Sequence, residues 1–224
     1  MKKNILVFGY GDLAQRLRLI VNKDLYELFG VSRTNKETEL KNHISWNWLS
    51  KDNPKLNAKD FDTIIFIPKP SSFEEEGYID GFIESSENIY KSIKGISFKR
   101  FISISSTRVY GKDKQNIHFE SDDPMPDDFR GKIIKQYELN QIKRYSDKLI
   151  ILRLSGLYDS LPDKDFINYL KRDNASRIIN FFIETDFNFK SHEIFNCSED
   201  RNDDKGNISN TKLKEIGFIF AWFN

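Results

Sequence analysis

An apolar run near the start of the chain, Asn4-Ile5-Leu6-Val7-Phe8, passes directly into Gly9-Tyr10-Gly11-Asp12-Leu13-Ala14. Leu13, Leu17 and Ile20 then recur at helical spacing. The segment reads as a buried β-strand, a tight glycine turn and the first turns of a helix. A strand joined to a helix in this way is the opening unit of a parallel α/β fold. It also aims unpaired backbone N–H groups and the positive end of a helix at one point, where a pyrophosphate binds. Gly9 permits the turn, and Gly11 lets the backbone approach a phosphate. Asp12 and Leu13 open the helix, and Ala14 keeps helix and strand close. The same junction also occurs as plain architecture with no ligand.

Short apolar runs recur along the chain with helical stretches between them. Strands are predicted over 4–8, 26–31, 44–46, 62–67, 99–105 and 149–154, and helices over 78–95 and 130–146. Trp46-Asn47-Trp48-Leu49 reads as a loop packed on the third strand. The acidic runs 74–76 and 121–128 supply charge and caps at the starts of the two helices. Alternation of this kind implies a doubly wound parallel sheet with helices on both faces, a Rossmann-like α/β fold. Right-handed crossovers place the C-terminal ends of the strands on one edge, where ligands bind. Beyond Ser155 the pattern loosens. A helix is expected over 166–171, short strands over 176–182 and 193–197, a polar loop over 198–207, and a helix over 211–216 ended by Gly217. A chain of 224 residues suits one such domain with a small appended lobe. Residues 1–155 form the dinucleotide-binding part. Residues 156–224 form a small C-terminal substrate-side lobe, centred on 158–189, and the closing helix, within one continuous fold.

Composition excludes several classes. Lys and Arg total 35 against 34 Asp and Glu, so no basic field attracts nucleic acid or anionic lipid. No run approaches the roughly 18 apolar residues of a membrane span, and no signal-peptide core is present at the N-terminus. Cys197 is the single cysteine, which excludes an intrachain disulfide and fits a cytoplasmic location. His43, His118 and His192 are scattered, with no metal-ligand spacing, so no metal is expected. His118 follows the Val109-Tyr110-Gly111 segment and is positioned in the sequence to face a substrate.

In dinucleotide folds the residue after the second strand meets the adenosine ribose: an acid reads the 2′-hydroxyl of NAD, and an arginine pairs with the 2′-phosphate of NADP. Here that strand ends in Ser32-Arg33-Thr34, with no acid before Glu37. Arg33 as the phosphate partner, with Ser32 adding a hydroxyl, favours NADP(H) over NAD(H). Pro68-Lys69-Pro70 follows the fourth strand, and Pro68 is expected to line the adenine–ribose side.

The segment Phe101-Ile102-Ser103-Ile104-Ser105-Ser106-Thr107-Arg108-Val109-Tyr110-Gly111 is more specific. A strand ending in Ser-Ser-Thr and followed by Val-Tyr-Gly resembles the extended short-chain dehydrogenases/reductases, which include the NAD(P)-dependent nucleotide-sugar epimerases and dehydratases. Leu152-Arg153-Leu154-Ser155-Gly156-Leu157-Tyr158 is similar to their Arg-x-x-x-x-Tyr segment. Asn210-Thr211-Lys212-Leu213-Lys214-Glu215-Ile216-Gly217-Phe218 is similar to their closing helix. The resemblance implies that Ser105 borders the cofactor, that Ser106 hydrogen-bonds the substrate oxygen beside the nicotinamide, and that Thr107 assists. It implies a small-molecule substrate such as a nucleotide sugar. The family pairs through two long helices, here 78–93 and 130–146, so a homodimer is the implied assembly.

Those families complete the site with a Tyr-x-x-x-Lys dyad, in which Lys lowers the Tyr pKa. Aligned on Glu138, this chain has Arg130 in place of the tyrosine and Ile134 in place of the lysine. Arg130 is therefore the third candidate catalytic residue. Tyr137 returns to the same helix face only about 10 Å further along, and Lys135 is rotated by about 100° from Ile134. Tyr110 and Lys114 have the right spacing but lie in a loop. The chain thus resembles the atypical members of the group, which keep the glycine turn and lack the dyad. Two functions follow: an NAD(P)-dependent epimerase, dehydratase or reductase, or a non-catalytic NADP(H) sensor or regulatory protein.

Overall fold

The computed structural model describes residues 1–33, 40–50, 52, 54, 56, 60–112, 116–160, 167–187, 189–200 and 206–221. Thr34, Glu37, Lys114 and Phe166 lie outside these. The main sheet has seven strands in the order β3-β2-β1-β4-β5-β6-β9, and every neighbouring pair is parallel. They are β1 (Lys3–Phe8), β2 (Tyr26–Ser32), β3 (His43–Ser45), β4 (Asp60–Phe66), β5 (Ser97–Ser106), β6 (Leu149–Leu154) and β9 (Glu193–Cys197). A separate parallel pair joins β7 (Gly156–Tyr158) to β8 (Tyr169–Lys171).

Alternation along each strand builds the two faces, because successive side chains point to opposite sides of the sheet. Ile5, Val7, Ile65, Ile102, Ile104 and Leu152 face one layer, with Leu13 and Leu17 of α1 (Asp12–Ile20) and Ile178, Ile179 and Phe182 of α5 (Arg172–Glu184). Leu6, Phe8, Ile64, Phe66, Phe101 and Ile151 face the other. That second layer is a helical run of α2 (Glu75–Tyr78), a π-helical stretch (Ile79–Glu84) and α3 (Ser85–Ser92), together with α4 (Phe129–Tyr145). Trp46 and Trp48 are buried against it, so the loop after β3 packs as expected. Asp128 caps α4, accepting from the Gly131 amide at 2.8 Å. No helix among the described residues is long and apolar enough to cross a membrane.

The second half of the chain differs from the sequence reading. Residues 176–182, expected as a strand, lie inside α5. Ala175, Ile178, Ile179, Phe182 and Ile183 are buried at helical spacing and pack against α1. The β-branched content of the run obscured that period. Residues 169–171 form β8 where a helix was expected. The later half also contributes to the main body: β9 pairs with β6 as the edge strand, and α5 covers the same face as α1. Among the described residues, β7 and β8 pair with each other apart from the main sheet. A closing helix, α6 (Thr211–Glu215), follows, with Gly217 at φ 98° after its end.

Candidate functional site

The strand order reverses between β1 and β4, and the crevice outside their C-terminal ends is where an open α/β sheet takes a ligand. The glycine turn lies there. Gly9 has φ 89°, and a Cβ on it would run into the Ile67 carbonyl, so only glycine fits. The Gly9 and Tyr10 amides both donate to the Val31 carbonyl, at 3.0 and 2.9 Å, which ties the turn to β2. Gly11 begins α1 with no side-chain cap. The first-turn N–H groups, on Asp12, Leu13 and Ala14, are those that a helix leaves for a ligand or water. A Cβ on Gly11 would meet nothing nearer than the Gly9 oxygen at 3.9 Å. The backbone is thus bare where a phosphate would approach, and the turn fits a dinucleotide.

Other expected cofactor contacts are already engaged within the chain. The Asp12 carboxylate pairs with Arg16 at 3.1 Å and Arg172 at 3.3 Å, so its backbone amide is the group it presents at the helix start. Ser32 Oγ lies 2.8 Å from His43 Nε2. Burial holds the His43 pKa below its ordinary value. The Arg33 guanidinium sits over the Trp48 ring at 5.7 Å. Pro68 follows β4 at the same sheet edge.

Ser105 is buried, and its hydroxyl donates to Glu138 Oε1 at 2.5 Å. The side chain therefore faces into the protein rather than toward a cofactor. Side chains alternate along β5, so Ser106 turns the opposite way. Ser106 and Thr107 line a cavity of about 450 Å3 with Tyr78, Phe82, Tyr110, His118 and Ile134. Ser106 Oγ also accepts from the Arg108 amide at 3.2 Å, capping the short turn (Thr107–Tyr110) that follows β5.

Ile134 is on the cavity wall, in the place expected for the lysine of the dyad, and is apolar. Arg130 is not on that wall. Its guanidinium lies 5.4 to 5.8 Å from the rings of Phe73, Tyr78 and Phe129 and donates to the Phe73 carbonyl at 3.1 Å. The expectation that Arg130 works at the reacting centre is therefore corrected: the cation is held among three aromatic faces, one of them that of Tyr78 on the cavity wall. Tyr137 is fully buried against Ser103 at 2.7 Å, and burial pushes its phenol up. It is a core residue.

Beneath the cavity lies a polar network that the sequence reading did not assemble. Glu138 and Arg153 form a buried ion pair, with Nη2 to Oε2 at 2.7 Å and Nε to Oε1 at 3.0 Å. Arg153 Nη1 donates to the Tyr110 hydroxyl at 2.7 Å. That hydroxyl is also 2.9 Å from both Asn196 Oδ1 and the Phe119 carbonyl. Burial pushes the Tyr110 phenol up, against the pull of Arg153. The signal for the pair was present: Arg153 stands in a strand buried throughout, where a charge requires a partner.

No protein-family model and no curated protein matches the sequence. Solved structures do match in fold. A glucuronic acid dehydrogenase from Chromohalobacter salexigens superposes with a TM-score of 0.77 at 14% identity, over 98% of this chain and 84% of that one. A UDP-glucuronic acid 4-epimerase from Bacillus cereus, solved with NAD, gives 0.71 at 18% identity, over 88% and 78%. A UDP-N-acetylglucosamine 4-epimerase from Methanobrevibacter ruminantium gives 0.70 at 16% identity, over 98% and 93%. The chain therefore shares the fold of NAD-dependent epimerases and sugar dehydrogenases, as the motifs implied.

Proposed function

We propose that this protein is an NAD(P)-dependent oxidoreductase of the epimerase/dehydratase type, acting on a nucleotide sugar or small carbonyl compound in the cavity at the end of β5. One observation carries the reading: Ser106 and Thr107 open into a cavity at the C-terminal end of β5, and the bare glycine turn follows the C-terminal end of β1 on the same edge of the sheet. The Gly11, Asp12, Leu13 and Ala14 backbone would hold the pyrophosphate. Arg33 would meet the adenosine end, and its positive charge carries the preference for NADP(H). When bound, the nicotinamide supplies a two-electron hydride donor or acceptor. Ser106 orients the substrate oxygen by hydrogen bonding, with Thr107 beside it. Tyr78, Phe82 and Ile134 give that pocket an apolar side. The protein works as a soluble homodimer through α2–α3 and α4. A second reading, a dinucleotide sensor without hydride chemistry, is favoured by Ile134 on the wall and by Arg130 being held among three rings instead of lining it.

Calorimetric titration with NADH and NADPH tests the dinucleotide site. Both are expected to bind, NADPH more tightly, and Arg33→Ala should remove the difference. Gly11→Ala should weaken binding while leaving the fold intact, because a Cβ there meets nothing nearer than the Gly9 oxygen at 3.9 Å and would stand where the phosphate approaches. Failure of both dinucleotides to bind would refute the reading.

A further inference from the structure

A hydride-transferring site needs a group that takes and returns the hydroxyl proton, and the usual tyrosine is missing here. The described wall of the cavity offers few replacements. Arg108 is clamped by Asp128, with Nε to Oδ2 at 3.1 Å, and Lys112 lies 3.8 Å from Asp127. The Tyr110 hydroxyl is turned to Arg153 and Asn196.

His118 lines the same cavity as Ser106 and is held from two sides. Its ring stacks on Tyr110, centroids 4.8 Å apart and planes 14° from parallel. Its backbone is clamped as well: the His118 amide donates to Asn207 at 2.8 Å, and the Ser209 amide donates back at 2.9 Å. Tyr110 is in turn fixed by the buried Glu138–Arg153 pair. The ring thus rests on a surface that cannot shift without breaking that network. An imidazole suits proton exchange near neutral pH. Among the described residues, the titratable groups around it include Tyr110 beneath the ring, Tyr78, Arg108 and Lys112 on the cavity lining, Glu120 two residues on, and Arg153 behind Tyr110.

We infer that His118 is the proton-transfer residue of this cavity, standing in for the missing dyad and acting on a secondary alcohol or ketone held by Ser106. This rests on the oxidoreductase reading above. In the oxidative direction the substrate C–H leaves as hydride to the oxidised nicotinamide dinucleotide. The O–H bond breaks, its electron pair closes the C=O bond, and the proton passes to an imidazole nitrogen of His118. Reduction returns both.

The test uses the full chain with NADH bound and 15N-labelled histidine. The sequence has three histidines, so the ring spectrum is simple, and His118→Phe assigns the signal while keeping the stack on Tyr110. UDP-glucose, UDP-glucuronic acid and free glucuronic acid are added in turn. The His118 resonances are expected to move with at least one probe while those of His43 and His192 stay in place. With NAD⁺ or NADP⁺ replacing the reduced dinucleotide and a probe that turns over, His118→Phe and His118→Gln should bind dinucleotide normally and lose about 10²–10⁴-fold in the rate of reduced dinucleotide formed. An unmoved His118 signal with all three probes, or a wild-type rate in both variants, overturns the role of His118 alone. Absence of binding by both NADH and NADPH overturns the underlying reading instead.

Discussion

Replacing Glu138 by Gln keeps the shape of the side chain and removes its charge, which leaves the Arg153 guanidinium buried without a counter-ion. Both side chains are nearly closed to solvent, at 4% and 3% exposure. The carboxylate accepts two bonds from Arg153 at 3.0 Å or less and one from Ser105 at 2.5 Å. Breaking a buried pair of this kind costs about 3–5 kcal/mol, mostly the desolvation of the abandoned charge. In a domain of this size each kcal/mol lowers Tm by roughly 2–4 °C, so Glu138→Gln should melt about 6–20 °C below the parent. Urea unfolding followed by circular dichroism gives the free energy directly. The double variant Glu138→Leu with Arg153→Met should recover much of the loss, since it leaves no charge behind. A Glu138→Gln protein within about 1 kcal/mol of the parent would refute the claim that the pair anchors the floor of the cavity.

Two further outcomes follow from the surface of α4. Arg108 holds the Asp128 carboxyl below its ordinary range, aided by the Gly131 amide. A carboxyl whose pKa is lower folded than unfolded stabilises above its unfolded value and loses that contribution as pH falls through the folded one, here below about pH 4. Asp128→Asn keeps the helix cap, so its urea midpoint should fall less steeply with acid than that of the parent; parallel curves would remove Asp128 from the account. Arg130→Ala loses its stacking on three rings, so it should cost about 1–2 kcal/mol in urea unfolding and leave NADH affinity unchanged in calorimetry. Weakened NADH binding in that variant would return Arg130 to the site.

The sequence alone determined the repeating unit. The β1 strand, glycine turn and α1 were legible because a short apolar run, a positive-φ glycine and a helical period are all local. The same holds for β2, β4, β5 and β6, whose alternation sets which residues face each helical layer. It also holds for Ser106 at the end of β5. Tertiary structure decided what depended on distant partners. Residues 176–182 became helix because α1 offered an apolar face for their helical stripe. Ser105, adjacent to Ser106, was lost from the ligand crevice because Glu138 lies behind it. Arg130 packs among rings instead of lining the cavity because Phe73, Tyr78 and Phe129 converge on it. Tyr110, Glu138 and Arg153 are far apart in the chain, and only the adjacency of β5, β6 and α4 brings them into one network. Periodicity specifies which way a side chain points; it does not specify what it meets there, and that encounter placed His118 over the cavity.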